Sequence, residues 1–294
     1  MDLVHLHALW QYPAFAAARS CARRRIPHLI SPCGTLDPYG LPSRRALKWL
    51  YGYAVERTTL AQAAAFHFTS TMEQRAARTF GVQRPSVVIP RPFASEAATE
   101  CPPGAFRKSH PELADRKILL FLGRLHPKKR LDLVAQAFVR LAQRQPDAHL
   151  VIAGPEDGAG AQARSILGQA GLLGRATFTG LLGGQEKWSA LRDSSVFLLP
   201  SEDENFGVAA LEALAMGTPV LLSPHVGLAD WVVKAQAGMV LQQDPSVWAS
   251  AIEELLQDTE SSEAMGEAGR RLVATVFSAE QVARAMGEAY ARFI

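Results

Sequence analysis

Ten short apolar runs, most of them separated by stretches of helical period, constrain this chain more than any other feature. They fall at 3–8, 28–32, 65–69, 86–90, 117–123, 149–154, 176–179, 196–200, 219–223 and 238–242. Near-continuous apolar runs of this length read as strands buried on both faces. Helical segments lie between most of them, at 12–24, 44–63, 71–80, 131–145, 159–170, 185–193, 207–216 and 228–235, and the stretch 246–294 reads as mostly helical. Ser70 is placed to cap the third helix and Gly81 to end it. Strand alternating with helix predicts parallel sheets covered by helices, an α/β fold.

The alternation breaks at 92–115, "PFASEAATECPPGAFRKSHPELAD", a segment rich in Pro, Ala and charge with no period. It reads as an interdomain linker. Four strands precede it. Six follow, enough for a complete doubly wound domain. No internal repeat is visible, and no apolar run reaches the roughly 18 residues a membrane span needs. The N-terminus "MDLVHLHALW" has no basic region ahead of an apolar stretch, so no signal peptide is expected. Cys21, Cys33 and Cys101 are too widely spaced for a metal motif or a disulfide framework, which suits a reducing cytosol. The net charge of +3 hides an asymmetry. Residues 1–93 carry 12 Lys/Arg against 4 Asp/Glu, and the remainder 19 against 24. Arg23–Arg25 and Arg44, Arg45 and Lys48 are either solvated helix ends or a surface drawn to anionic lipid or an acidic acceptor. No nucleic-acid motif accompanies the charge.

The chemistry concentrates at strand ends. In "LLPSEDENFGVAALEALAMGTPVLLS", Glu212 interrupts a helix that is otherwise apolar, and Glu204 lies eight positions earlier. An unpaired carboxylate in such a helix is costly. Either Glu212 reaches the surface at the helix edge, or it accepts hydrogen bonds from a polar ligand in a cleft. Asn205, Phe206 and Gly207 lead into the helix, and Gly lets a ligand approach the backbone. Strand, loop, helix, strand places the helix N-terminus at the carboxyl end of a parallel strand, where α/β proteins bind anions. In "KILLFLGRLHPKKRLDLV" another strand ends at Gly123-Arg124, ahead of Lys128, Lys129 and Arg130. This is either a basic surface loop or a seat for a diphosphate. "GPEDGAGAQA" has Gly-Ala-Gly after a strand but lacks the third glycine of a dinucleotide fingerprint, so a plain strand-to-helix connection is preferred. The "FTGLL" strand end could offer backbone contacts to a planar base. There is no P-loop, no Gly-x-Ser-x-Gly elbow and no Asp-x-Asp pair, which argues against the enzyme classes those motifs mark.

Together "GRLHPKKRLDLV", "HLVIAG", "FTGLL", "EKWSALRDSSVFLLPS" and "ENFGVAALEALAMGTPV" resemble the donor half of a family-four glycosyltransferase of the GT-B fold, with Glu204 and Glu212 in the family's Glu-x₇-Glu spacing. The resemblance covers about 117–290 and extends more weakly to residue 1. It implies two Rossmann-like doubly wound domains facing a cleft. Residues 1–105 would be an acceptor-side domain plus linker, 106–277 the donor domain, and 278–294 a helix returning to the first domain. It implies a retaining transfer from a nucleotide-diphosphate sugar, with no metal and no further cofactor. Arg124, Lys129 and Glu204 would be catalytic: the two cations stabilise the departing diphosphate and Glu204 contacts the sugar. Gly123, Leu182, Asn205, Phe206, Gly207 and Val208 would bind the donor, and Glu212 would accept the ribose hydroxyls. On the acceptor side, "VHLHALW" resembles the segment members write His-x-His-Gly-x-Trp, which places His7 there and Ala8 in the glycine position. "SPCGTLDP" resembles Ser-Pro-His-Gly, with Cys33 replacing the histidine. Members carry further strands before this point, so an incomplete N-terminal domain is expected. The expected partners are a nucleotide sugar, a saccharide or lipid-linked acceptor of polysaccharide or glycolipid synthesis, and an anionic membrane surface. The expected location is the cytoplasm, with peripheral contact at the inner face of the plasma membrane. A non-catalytic relative that binds nucleotide sugar or serves as a partner protein stands as the alternative. A sugar-nucleotide epimerase of the same fold is disfavoured by the Glu-x₇-Glu signature.

Overall fold

The computed structural model describes residues 2–36, 57–79, 81–93 and 101–294. The chain divides into two compact units, Met1–Pro92 with Val276–Ile294, and Phe93–Thr275. In the first unit the order is β1 (Val4–His7), α1 (Tyr12–Arg24), β2 (His28–Ser31), α2 (Arg57–Gln62), β3 (Ala65–Phe68), α3 (Thr71–Thr79) and β4 (Ser86–Val88). Apart from α2, the helix expected over 44–63 lies outside the described residues, as do Arg44, Arg45 and Lys48. The four strands are parallel in the order β1-β2-β3-β4, wound in one direction with β1 at one edge. Ile30, Phe66 and Phe68 centre its core, with Leu6, Ala18 and Ala77 packed around them. Ser70 caps α3 by accepting from the Glu73 N–H at 3.0 Å, and Gly81 follows the helix at φ 95°.

The second unit begins inside the segment read as linker. Residues Ala105–Ser109 form α4, a 3₁₀ turn follows at Pro111–Leu113, and Phe106 and Leu113 are fully buried. The cause is a remote carboxylate: Asp193 accepts from the N–H groups of Gly104, Phe106 and Arg107 at 2.6–3.2 Å. From 101 onward, therefore, the segment is ordered structure of this unit. The alternation continues with β5 (Lys117–Leu122), α5 (Leu131–Leu141), β6 (Ala148–Ala153), α6 (Gly160–Gln169), β7 (Ala176–Gly180), α7 (Gly184–Asp193), β8 (Val196–Leu199), α8 (Val208–Met216), β9 (Val220–Leu222), α9 (Ala229–Ala235), β10 (Gly238–Val240), α10 (Pro245–Gln257) and α11 (Thr259–Leu272). A π-helical turn, Val273–Phe277, leads to α12 (Ala279–Ala291) of the first unit. Val282, Ala285, Met286 and Ala289 repeat at helical spacing on α12 and cover Val87 and Ile89 at the end of β4.

The second sheet is parallel in the order β10-β9-β8-β5-β6-β7. The winding reverses at β5, which pairs with both β6 and β8. Right-handed crossovers on either side of β5 then place helices on both faces. The loops after β5 and β8 diverge at this reversal, and in open α/β sheets that crevice is where ligands bind.

Candidate functional site

The loops after β5 and β8 meet through their charges. Pro127–Lys129 forms a 3₁₀ turn, capped where His126 Nδ1 accepts from the Lys128 N–H at 3.2 Å. Lys128 pairs with Asp203 at 3.7 Å, Lys129 with Glu204, and Arg130 with Glu202 at 3.2 Å and Asp132 at 3.0 Å. The Glu202 N–H donates to the Lys128 carbonyl at 2.8 Å, tying the two backbones together. Three successive bases thus face three successive acids across the switch point. Glu204 is also pinned from behind. Its N–H donates to His225 O at 2.9 Å and its carbonyl accepts from the Gly227 N–H at 2.9 Å, in a parallel bridge to Val226. Burial of Lys129, then Lys128 and Arg124 beside it, push its ammonium down to about 8, and Asp203 opposes the shift. Arg124 is largely exposed and bonds Asp157 at 2.9 Å.

Two glycines let the strand ends close up. At Gly154 (φ 145°), just past β6, an added Cβ would stand 1.9 Å from the Gly123 carbonyl. No side chain fits there, so the turn carrying Arg124 is held against the end of β6. Gly207 (φ 95°) turns the chain into α8, and a Cβ there would meet Val226 at 2.8 Å.

The helix that follows has an open N-terminus. Its N-cap residue, Gly207, has no side chain to cap α8, and the first turn carries no acid, so the positive end of the helix dipole has no acid of its own helix and lies close to Glu204, whose Cγ would stand 3.8 Å from a Cβ on Gly207. The N-terminus of α6 differs. There Glu156 accepts from Gly158 and Gly160 N–H at 3.0 and 2.9 Å, and these amides, Gly160's first, hold its carboxyl below the ordinary range. The Gly-Ala-Gly stretch is therefore an internally satisfied connection, whereas α8 has no such carboxylate in its first turn.

Glu212 sits one turn into α8, on the one side of the helix not covered by the apolar core. Its Oε1 accepts from Lys187 Nζ of α7 at 2.7 Å, with both side chains largely shielded (16% and 23% exposed). Nothing in the sequence signalled Lys187, which lies 25 residues away and meets Glu212 only because α7 packs on α8. Phe206 is buried edge-to-face against Trp231, and Leu182 is buried too, so only their backbones remain for a ligand. Asn205 is half-buried and Val208 is exposed at the start of α8. Gly123 closes β5, its N–H donating to Ala153 O at 2.9 Å.

His7 and Cys33 lie in the first unit, at the carboxyl ends of β1 and β2, and both are exposed. The backbone around them is strained: Ala8 (φ 66°), Trp10 (φ 64°) and Cys33 (φ 54°) all occupy the left-handed region. A conformation that disfavours side chains persists only when its surroundings over-determine it. Here Ala8 N–H donates to Ser31 O at 2.8 Å and Trp10 Nε1–H to Thr35 O at 2.9 Å. Buried Glu73 holds the next residue, accepting from the Gly34 N–H at 2.7 Å with one oxygen and the Thr69 N–H at 2.8 Å with the other. Glu73 went unnoticed in the sequence, where it read as part of a capped helix.

A complete Rossmann-type domain with an anion seat at its switch point, joined to a second parallel α/β unit, defines the GT-B class of architecture. Comparison with known proteins agrees. Residues 104–272 match the model of the family "Glycosyl transferases group 1", and residues 1–92 match "Glycosyl transferase 4-like domain". The chain belongs to the group 1 glycosyl transferases. It is 32% identical over 158 residues to a D-inositol 3-phosphate glycosyltransferase of Corynebacterium diphtheriae, covering 52% of this chain and 37% of that protein. It is also 32% identical over 176 residues to a glycogen synthase of Mycobacterium tuberculosis, covering 58% and 42%. The matched regions thus span about two fifths of these relatives' length. Among solved structures, sucrose-phosphate synthase from Thermosynechococcus elongatus superposes with a TM-score of 0.73 at 24% identity, over 99% of this chain and 73% of that one. Anabaena Alr3699/HepE in complex with UDP and glucose gives 0.79 at 17%, over 99% and 78%. Among the described residues no helix is long and apolar enough to cross a membrane, and no cluster of His, Cys, Asp or Glu could hold a metal ion.

Proposed function

We propose that this chain is a retaining glycosyltransferase that moves a sugar from a nucleotide-diphosphate donor to a hydroxyl of a saccharide or lipid-linked acceptor. The observation that carries this reading is the Lys129–Glu204 pair at the switch point, beside the uncapped N-terminus of α8. Lys129 and Arg124 bind the diphosphate and stabilise the charge it gains on leaving. The N–H groups of α8's first turn, from Gly207 and Val208 onward, take phosphate or sugar oxygens, Glu204 takes a sugar hydroxyl, and Glu212 accepts from the ribose. Gly123, Leu182, Asn205 and Phe206 contribute backbone and shape. His7 and Cys33, on their strained turns, line the acceptor side. No metal enters this scheme, since the two cations and the helix dipole supply the positive charge. Solved relatives hold UDP and UDP-glucose, so uridine nucleotides head the candidate donors. The named relatives point to polyol-phosphate and glucan acceptors.

The test is calorimetry with UDP, GDP and ADP. The tightest ligand should lose about 1–3 kcal/mol on Glu212→Gln, the scale of hydrogen bonds to a charged group. Unchanged binding in the Glu212→Gln, Lys129→Met and Arg124→Met variants would place the donor elsewhere. A second reading, a binding protein without turnover, draws on Cys33, because a thiol is a weak hydrogen-bonding group and replaces the family's imidazole poorly. Release of nucleoside diphosphate from a nucleotide sugar separates the two. Exposed Arg23, Arg24 and Arg25 at the end of α1 suit peripheral contact with an anionic bilayer at the cytoplasmic face. Salt-insensitive or absent co-sedimentation with anionic vesicles would remove that element.

A further inference from the structure

The pairing of Glu212 with Lys187 changes what the carboxylate can recognise. Lys187 Nζ takes Oε1 at 2.7 Å, and among the described residues Oε2 has no hydrogen-bond partner. The ammonium also lies 4.0 Å from the centroid of the Trp188 ring, a cation–π contact that fixes its position. Trp188 is buried edge-on against Phe93, at 6.1 Å between centroids. So the lysine is anchored from α7 while its head group rests on α8's only carboxylate. An ammonium has three N–H donors. Two remain beyond the bond to Oε1, next to an acceptor oxygen that is still open.

We propose that Lys187 and Glu212 form a donor–acceptor pair that reads a single ligand hydroxyl in both directions, and that Lys187 thereby determines selection of ribonucleotide over deoxyribonucleotide donors. This rests on the reading of Glu212 as the ribose contact. A hydroxyl placed between the two groups donates to Oε2 and accepts from Nζ–H. A hydrogen in its place satisfies neither, leaving a shielded acceptor and a shielded cation partly unsolvated. Sites built to hydrogen-bond a hydroxyl reject the analogue lacking it for this reason. A lone glutamate would make only the first of the two bonds, so the lysine sharpens the discrimination rather than merely neutralising the acid.

The experiment is calorimetry of the full chain with the best-binding nucleoside diphosphate, its 2′-deoxy and 3′-deoxy analogues, and inorganic pyrophosphate. The proteins are wild type and the Lys187→Met, Lys187→Arg and Glu212→Gln variants. Wild type should prefer the ribonucleotide over at least one deoxy analogue by about tenfold or more, the scale of a hydrogen bond to a charged group. Lys187→Met should lose most of that ratio while binding pyrophosphate as before, and Lys187→Arg, which keeps a donor, should retain part of it. If Glu212→Gln abolishes the ratio and Lys187→Met preserves it, the role given to Lys187 is overturned and the donor site stands. If Lys187→Met weakens all ligands equally, pyrophosphate included, Lys187 acts only through the fold and the proposal is wrong. If Glu212→Gln changes nothing, the donor-site reading itself fails, and with it this one.

Discussion

Raising the pH through the range where Lys129 gives up its proton perturbs the proposed donor site at one side chain. Burial, then the neighbouring Lys128 and Arg124, push this ammonium from 10.5 down to about 8. About nine-tenths of the molecules then carry the charge at pH 7 and about one-tenth at pH 9. Affinity for a ligand that needs the ammonium should fall about tenfold between those values, or ~1.4 kcal/mol. The ion pair with Glu204 and the bound diphosphate both favour the charged form, so they move the midpoint upward without changing the direction. Stability moves the other way. The folded pKa lies below the unfolded one, so between about 8 and 10.5 the unfolded chain holds more protons and this residue's contribution to stability rises with pH. A loss of affinity in this window is therefore not melting at Lys129. The assay is calorimetric titration of a nucleoside diphosphate from pH 7 to 9.5, with Lys129→Arg in parallel. A guanidinium stays charged throughout, so the variant's profile should be flatter by the Lys129 component. Parallel profiles in the two proteins would refute the reasoning, because some other group would then be titrating.

Gly154→Ala should destabilise the second unit by about 2–4 kcal/mol, through a disfavoured φ and a clash with the Gly123 carbonyl; denaturant unfolding followed by tryptophan fluorescence checks it, and native-like stability would mean that β5 and β6 part without cost. Acid should loosen the first unit before the second. Burial lowers the pKa of His5 to about 4, with His7 and His67 adding to the shift, and burial also lowers His28 and His67. In the second unit burial lowers His149 in the same way. As pH falls below 6.5 the unfolded chain takes up protons these folded histidines refuse, costing at most ~1.4 kcal/mol per pH unit for each. Hydrogen exchange at pH 7 and 5 should show protection lost across β1–β4 first, and equal loss in both units would count against it.

The strands were legible because each falls in a short, mostly apolar run, and all ten occur where the sequence places them. The segment 101–115 was not, because its order has no local cause. A five-residue helix gives too few turns for a period, and the carboxylate that organises it, Asp193, is some 86 to 89 residues away. The proposed donor site divides along the same line. Lys129, Glu204 and Glu212 stand out as charges at strand ends or in an apolar helix, so their presence could be read directly. Their partners could not. Which base of 128–130 meets which acid of 202–204 depends on β5 and β8 being neighbours: the two strands start at Lys117 and Val196, far apart in the sequence, yet pair directly in the sheet. Lys187 is one more lysine on an amphipathic helix until α7 packs on α8. Ala8 shows the reverse case: it stands where the resemblance implies a glycine, and its φ of 66° lies in the left-handed region that favours one.

The charge pattern across the switch point also bears on how a donor enters. Lys129 has no spare charge in the free protein, because Glu204 already neutralises it inside a shielded pair. A bare diphosphate that captures Lys129 strands Glu204, and a shielded carboxylate without a partner is costly. A nucleotide sugar repairs that loss, since its hydroxyls donate to the carboxylate that the phosphate has set free. One exchange of partners would thus recognise both ends of the scissile bond. It follows that wild type should favour the nucleotide sugar over the bare nucleotide, and that Glu204→Gln should bind the bare nucleotide more tightly while losing most of that preference. Calorimetry of both ligands against both proteins decides it. If Glu204→Gln weakened the bare nucleotide as much as the nucleotide sugar, Glu204 would be holding Lys129 in place for the phosphate rather than competing for it.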